Sequence, residues 1–363
     1  MSGSASDATV AVALSGGIDS LVTGFLIKQA YKHVFGIHFT TGYETTPVDT
    51  AVLEAQLGIK VHTVDLSQAF EEKVVDYFVS TYLAGKTPNP CLVCNPEIKF
   101  GVLLDRALHL GADALATGHY ATVINRFTCP DQDVSSPRLE KGADPKKDQS
   151  YFLSRLRAAQ LDRLIFPLAA TTKDEVRKIA GSHNLTPAVP SESQDICFIR
   201  EHSFADFITR KRGIHPTPGN IVDMDGKVIG THQGLHTFTV GQRRGINVPG
   251  PEPYYVRRIN MADNTLEVCF KKNLARETMD VDDIVWNYSG TQDIMNLTVK
   301  IRYAHKGAKA TLTLEENDRN DGSSASSGSS ASVRFDTPQN AVTPGQAAAF
   351  YRGDRVLGAG IIR

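Results

Sequence analysis

The sequence predicts an α/β protein: an N-terminal doubly wound parallel sheet, then a small β-rich central domain, then a C-terminal β-barrel. Apolar strand-like runs alternate with helical periodicity through residues 8–183, the pattern of a parallel sheet covered on both faces. From about residue 215 onward the texture changes to short β-rich runs divided by turn signals such as Thr217-Pro218-Gly219, Asp225-Gly226 and Val248-Pro249-Gly250-Pro251. A length of 363 residues exceeds what one core ordinarily serves. The domains are accordingly expected at 1–205, 206–275 and 276–363.

Residues 8–14 (ATVAVAL) read as a buried strand that stops at Ser15-Gly16-Gly17. Ile18, Leu21, Val22, Phe25 and Leu26 then recur at helical spacing, with Asp19 and Ser20 in the first turn, where the helix dipole favours an acid. A strand at 34–40, a helix at about 50–57 and a strand at 60–65 repeat the alternation. A helix near 100–108, a strand at 112–117 and a helix at 173–183 (KDEVRKIAGSH) continue it. The tract 320–332 (NDGSSASSGSSAS) is of low complexity and reads as a flexible loop between two strands of the last domain.

Composition narrows the function. With 41% hydrophobic and 22% charged residues the chain is globular, neither collagenous nor disordered nor a coiled coil. No stretch approaches the roughly 18 to 20 apolar residues that span a bilayer, and residues 1–7 lack the features of a signal peptide, so a cytoplasmic protein with no membrane partner is expected. A net charge of −1 provides no global field for nucleic acid. One local surface could: residues 200–275 carry eleven Lys or Arg against seven acids. Five cysteines are too few and too irregular for a disulfide scaffold, which makes their use chemical.

A glycine turn between a parallel strand and a helix aims successive backbone N–H groups at one point and binds anions there. Gly16 and Gly17 let a phosphate approach the main chain, Ser15 and Ser20 offer hydroxyls, and Asp19 can hold a magnesium ion. The lysine of a Walker A loop is missing, which disfavours a kinase or GTPase of that type. Residues 15–20 (SGGIDS) resemble the SGGxDS loop of the ATP pyrophosphatase (PP-loop) superfamily, whose members cleave ATP between the α and β phosphates and adenylate a substrate oxygen. An amide-forming member, another RNA-modifying member and a catalytically silent RNA-binding relative are the alternatives that the loop alone leaves open.

The cysteines restrict the choice. Residues 87–100 (TPNPCLVCNPEIKF) place Cys91 and Cys94 three apart, and residues 193–198 (SQDICF) add Cys197. Three thiols are one short of a closed zinc site but suffice for an iron-sulfur cluster with one open iron, or for a sulfur carrier with a resolving thiol.

Across almost the whole chain the sequence resembles the tRNA-specific 2-thiouridylases. The resemblance rests on residues 15–20, 117–120 (TGHY), 147–152 (KDQSYF), 166–168 (FPL), 193–198, 234–235 (GL), 238–245 (FTVGQRRG) and 341–346 (AVTPGQ). It implies ATP and Mg2+ as cofactors, tRNA as substrate and a sulfur donor, either a persulfide carrier protein or inorganic sulfide. The C2 oxygen of the wobble uridine is adenylated and then displaced by sulfur. The ATP site implied is Leu14, Ser15, Gly16, Gly17, Asp19 and Ser20 for the phosphates, with His38, Phe39 and Gly118 near the adenine. Cys197 corresponds to the persulfide carrier and Cys94 to the thiol that forms a disulfide with it after transfer. Lys147, Gln149, Ser150 and Tyr151 are expected to line the RNA or nucleotide side of the cleft, and Arg243 and Arg244 to meet phosphates or unpaired bases. His119 is as readily structural as functional. The family commonly has an aspartate where this chain has Cys91. A thiol titrating near 8.5 is a poor substitute for a carboxylate near 4 in proton transfer. Cys91, Cys94 and Cys197 together resemble the three-cysteine ligand set of thiolases that load sulfide on the fourth iron of a [4Fe-4S] cluster.

Overall fold

The computed structural model describes residues 6–132, 134–189, 196–201, 203–213, 216–288, 294–315 and 329–363. Residues 193–195 of the SQDICF motif and 320–328 of the Gly/Ser tract lie outside these.

The chain opens with β1 (Ser6–Ala13), α1 (Ile18–Ala30), β2 (Tyr31–Thr40), α2 (Thr50–Leu57) and β3 (Val61–Asp65). After a long helical stretch come β4 (Ala114–Ala116), the hairpin of β5 (Ala121–Ile124) and β6 (Arg138–Lys141), β7 (Leu164–Ile165) and α3 (Lys173–Ser182). Five of these strands form an all-parallel sheet in the order β3-β2-β1-β4-β7. Successive side chains of a strand point to opposite faces. Val10, Val12 and Leu14 thus enter a core with Leu21, Val22, Leu53 and Val176, while Ala11 enters another with Ile37, Phe78, Leu115 and Phe166. Burial on both faces is why this strand reads as an unbroken apolar run.

The helical stretch is longer than the sequence suggests. Residues 67–83 form helix in three parts, Ser67–Phe70, Glu71–Val75 and Asp76–Leu83, the middle one a π-turn. The helix expected near 100–108 begins earlier, as a turn at Cys91–Cys94 that runs through a π-helix at Asn95–Val102 into Leu103–His109. Helix α4 (Phe204–Arg212), capped by the Ser203 side chain on the Asp206 N–H, crosses the expected boundary at 205/206. Its Phe207 and Ile208 pack in the N-terminal core.

The central unit is a four-stranded sheet of β8 (Gly219–Val222), β9 (Val228–His232), β10 (Tyr254–Asn260) and β11 (Thr265–Phe270), built over Ile221, Phe238, Val256 and Leu266. The last unit comprises β12 (Ala275–Trp286), β13 (Ile294–Lys300), β14 (Ala308–Leu314), β15 (Ser329–Asn340), β16 (Ala347–Arg352) and β17 (Arg355–Ile362). These six pair in the order β12-β15-β14-β13-β16-β17, and β12 pairs again with β17, closing a barrel around Val281, Val299, Leu312, Val333 and Phe350. The β5–β6 hairpin of the N-terminal region adds to this barrel, with Leu139 opposite Val356 and Glu140 opposite Arg355. Among the described residues no helix is long and apolar enough to cross a membrane.

Candidate functional site

The parallel sheet changes direction of growth at β1, with β2 on one side and β4 on the other. Ligands of such sheets bind beyond the carboxyl ends of the strands at this switch point. Residues 14–20 follow β1 there and residues 117–120 follow β4.

Leu14 continues the ladder by donating its N–H to Ile37 O (2.9 Å), and the buried His38 ring donates to Leu14 O (2.7 Å). His38 therefore supports the loop from below. Gly16 turns the chain at φ +81°, a region that favours glycine. Among the described residues no side chain caps the start of the 13-residue α1, and N–H groups at such a helix start suit an anion. The Ser20 hydroxyl donates back to Gly17 O (2.8 Å) and receives a bond from Ser15 Oγ (3.3 Å), bracing the turn. Gly118 lies where a Cβ would stand 3.0 Å from the Asp19 carbonyl carbon, so the segment after β4 presses against the loop.

Asp19 is held by Tyr120, of the 117–120 motif, and by Lys173, to which the sequence assigns no role. Its carboxylate accepts from the Tyr120 hydroxyl (2.7 Å) and from Lys173 Nζ at 2.8 Å to both oxygens. Lys173 opens α3 and its side chain is only 7% exposed.

The thiols form a second group, close enough for their charges to act on one another. Pro90 starts the turn that carries Cys91 and Cys94, and its carbonyl accepts from the Cys94 N–H (2.8 Å). Cys197 sits on a turn closed by Ile199 N–H on Ile196 O (3.0 Å). That turn is anchored by the buried Phe198 ring, 5.7, 5.3 and 5.4 Å from those of Phe70, Phe78 and Phe207. Cys91 and Cys197 reach solvent and Cys94 is half-buried, yet protein crowds all three sulfurs. Burial pushes Cys91 and Cys197 above the usual thiol range and Cys94 up to about 12. The thiols also act on one another: Cys197 and Cys91 raise Cys94, and Cys91 raises Cys197.

One cation opposes this. The ammonium of Lys99, on the π-helix that follows Cys94, lowers all three thiols. Among the described residues Lys99 has no ion-pair partner. Its charge also reaches His119, a buried ring that accepts or donates at Nδ1 to Thr117 Oγ1 (2.7 Å) and that burial keeps well below its ordinary pKa, hence neutral. Lys99→Met is expected to raise the pH midpoint for alkylation of Cys197, because losing a nearby cation disfavours the thiolate. Iodoacetamide labelling at pH 8 then slows, and a midpoint that stays put or falls removes Lys99 from the thiol group.

The 147–152 segment serves two purposes. Ser150 and Tyr151, expected in the cleft lining, are fully buried instead. Ser150 Oγ lies 3.1 Å from the Tyr351 hydroxyl and Tyr151 donates to Ala347 O (3.1 Å), so both tie the N-terminal region to the barrel. Gln149 is half-buried and exchanges bonds with the Tyr120 backbone, accepting from N–H at Oε1 (3.0 Å) and donating its own N–H to the carbonyl (2.8 Å). Lys147 is half-buried. A groove of about 880 Å³ adjoins this segment, lined in part by Lys141, Lys146, Lys300, Tyr303 and Lys306. Tyr303 stacks on Phe152 with centroids 4.6 Å apart, and Lys300 Nζ lies 5.9 Å from its ring centre. Nothing in the local sequence flagged this groove, since its cations come from segments more than 150 residues apart. Arg243 and Arg244 are exposed on the loop after Gly241.

The family model described as the tRNA methyl transferase HUP domain matches residues 8–201, its PRC-barrel domain 205–270, and the aminomethyltransferase beta-barrel domain 276–362. A "tRNA-specific 2-thiouridylase MnmA" of Desulfosudis oleivorans is 50% identical over 363 residues, covering 99% of this chain and 96% of that one. The protein of the same name from Desulfotalea psychrophila is 40% identical over 97% of this chain and 98% of its own length. Among solved structures, the "U34-tRNA thiolase NcsA from Methanococcus maripaludis with its [4Fe-4S] cluster" aligns at 22% identity and a TM-score of 0.34, covering 57% of this chain and 65% of that one.

Proposed function

We infer, since the chain belongs to the tRNA-specific 2-thiouridylase family, that it replaces the C2 oxygen of a tRNA wobble uridine with sulfur in an ATP-dependent reaction. One observation supports this reading above the others. Three consecutive residues link the two halves of the site: Gly118 and Tyr120 touch Asp19 of the glycine turn, while the buried His119 ring feels the charge of Lys99, the cation that also acts on the thiols. An amide-forming enzyme needs the first half alone.

ATP would lie with its phosphates on the N–H groups of residues 15–20 and its adenine toward Phe39 and Gly118. Asp19 is the carboxylate available for magnesium, which supplies neutralisation of phosphate charge when bound. The uridine O2 attacks the α-phosphorus, the bond to the β-phosphate oxygen breaks, and pyrophosphate leaves. The oxygen is then part of an AMP ester and departs readily. The terminal sulfur of a persulfide on Cys197 attacks C2 and AMP leaves. Cys94 as thiolate next attacks the Cys197 sulfur, forming a Cys94–Cys197 disulfide and freeing the thiocarbonyl, and an external dithiol returns the two thiols. A Cys94 raised to about 12 by burial holds its proton at rest, which protects the persulfide until the base is in place. Gln149, Lys147, Arg243, Arg244 and the Lys300–Tyr303 groove would hold the RNA.

A [4Fe-4S] cluster requires three thiolates converging on one core. Among the described residues no three His, Cys, Asp or Glu side chains are arranged to hold a metal ion, and burial favours the protonated thiols. No step is therefore derived through iron. Cys91 is the residue that makes a cluster the second reading. Iron and sulfide analysis of anaerobically purified protein decides between them: iron-free protein active with a persulfide donor supports the thiol route, and activity that requires stoichiometric iron overturns it.

The overall reading is tested by incubating the protein with tRNA, ATP and a persulfide donor and analysing nucleosides by mass spectrometry. 2-Thiouridine with matching AMP is expected, and AMP formation without thiolation would overturn the assignment. Tyr303→Ala is expected to weaken tRNA binding by about 1–3 kcal/mol, the value of one base stacked on an aromatic ring, and to leave ATP affinity unchanged. Equal tRNA affinity would exclude the groove.

A further inference from the structure

The loop between β2 and α2 touches both halves of the site. It leaves β2 at Thr40, on the carboxyl side of the sheet, and at Val48 it packs on the glycine turn, where a Cβ on Gly16 would stand 3.1 and 3.2 Å from the Val48 methyl carbons. Between these points the Tyr43 ring lies 5.8 Å from that of Phe198, the anchor of the Cys197 turn, and 5.9 and 6.4 Å from those of Phe70 and Phe207. Phe70, Phe78 and Phe207 stand on helices, whereas Tyr43 stands on a loop. Its hydroxyl is what fixes it there, donating to Glu71 Oε2 (2.6 Å) and accepting from Lys211 Nζ (3.0 Å), while Lys211 pairs with Glu71 at 2.5 Å. Glu71 opens the π-turn of the 67–83 helix and Lys211 lies in the last turn of α4, so three separate segments meet at one phenol. The head of the loop is braced by Glu44, whose carboxylate accepts from the Thr41 N–H (2.6 Å), the Thr41 hydroxyl (2.8 Å) and the Gly42 N–H (3.1 Å). Burial and Cys91 raise the Cys197 thiol, and the charge of Glu44 adds to them.

We propose that Tyr43 is a positioning residue for Cys197: clamped by Glu71 and Lys211, it closes one wall of the Phe198 socket and sets the sulfur carrier in a fixed place relative to the glycine turn that the same loop touches. The proposal rests on the thiolation reading above. What it protects is the activated base, because an AMP ester at C2 is open to two nucleophiles. With the persulfide in place, its terminal sulfur attacks C2 and AMP leaves with the uridine oxygen. With the persulfide displaced, water attacks C2 instead, AMP leaves, and the oxygen of water restores the uridine, so that ATP is consumed without product. A shift of about 1 Å at a reacting group costs up to about a hundredfold in rate, enough to let water win.

The test is the ratio of AMP to 2-thiouridine formed by the full chain with tRNA, ATP and a persulfide donor. Wild type should make the two in matching amounts. Tyr43→Ala opens the socket wall, and Lys211→Met keeps the aliphatic stem but releases the phenol. In both, AMP per 2-thiouridine is expected to rise about tenfold while AMP formation itself is unchanged. Lys211→Arg keeps a cation beside Tyr43 and Glu71 and should return the ratio toward that of wild type. A merely structural contact would lower AMP and 2-thiouridine together and leave their ratio where it was, and that result overturns the proposal. If Tyr43→Ala does not fold, Tyr43→Phe, which keeps the ring and loses both hydroxyl bonds, decides together with Lys211→Met. A wild-type chain that makes no 2-thiouridine overturns the thiolation reading and this inference with it, whereas matching products in wild type and in every variant overturn this inference alone.

Discussion

Cys197→Ser is expected to lower 2-thiouridine formation at least about a thousandfold, because the residue that carries the transferred atom has no substitute and an alkoxide-forming hydroxyl cannot hold a persulfide. ATP binding should be unchanged, since the turn that carries Cys197 is anchored through Phe198 in the core of Phe70, Phe78 and Phe207, a core that includes no residue of the glycine turn. Cys94→Ser should be equally inactive in turnover for a different reason. Sulfur can still attack C2, but nothing then cleaves the sulfur–sulfur bond, so tRNA is expected to remain attached to Cys197 and to be released by added dithiol. Cys91→Ser separates the two sulfur routes. With a persulfide donor it should retain activity within a few-fold, whereas a requirement for all three cysteines points to iron. Nucleoside mass spectrometry and a gel shift of tRNA under non-reducing conditions read each outcome. Full activity in Cys197→Ser would remove sulfur transfer through the thiols altogether.

The second large effect is at the glycine turn. Gly16→Ala places a Cβ at φ +81°, and that Cβ would stand 3.1 and 3.2 Å from the Val48 methyl carbons. The left-handed conformation alone costs about 1–2 kcal/mol for a residue with a side chain. The urea midpoint should fall accordingly, and ATP affinity should drop about tenfold or more as the turn opens. Gly17→Ala is the control: φ is −82° and the nearest atom to the new Cβ is Ser15 Oγ at 3.6 Å. That variant should keep its stability, and any loss of ATP affinity then measures crowding of the phosphate alone. Gly16→Ala with wild-type stability and affinity would place the nucleotide elsewhere.

The sequence reveals the parts of this molecule that depend on near neighbours. The strand, glycine turn and helix at residues 8–30 are local, and so is the apolar run that marks a strand buried on both faces. The helix at 67–83 went unread, although Phe70, Val74, Phe78 and Tyr82 recur every four residues and so share one face. Other features needed the fold. Ser150 and Tyr151 belong to a motif that reads as functional, and only the barrel shows that they are fastened to Tyr351 and Ala347. Lys173 lies 154 positions from Asp19, and no pattern in KDEVRK distinguishes it from an ordinary exposed lysine. Lys99 likewise looks like one charge on a helix until its neighbours across space are known. Cys91, Cys94 and Cys197 were conspicuous because cysteine is scarce in this chain, although only the folded chain shows which cation bears on them.

The β5–β6 hairpin has a consequence for how the chain must be made. Arg138–Lys141 finds its outer neighbour only in Arg355–Ile362, at the far end of the chain. While the ribosome is still producing the middle of the protein, that strand waits with unsatisfied amide groups, the condition that invites pairing with a stranger. Shortened versions that end before residue 355 should therefore clump rather than yield a working nucleotide-binding fragment, and chaperone demand should peak late in synthesis.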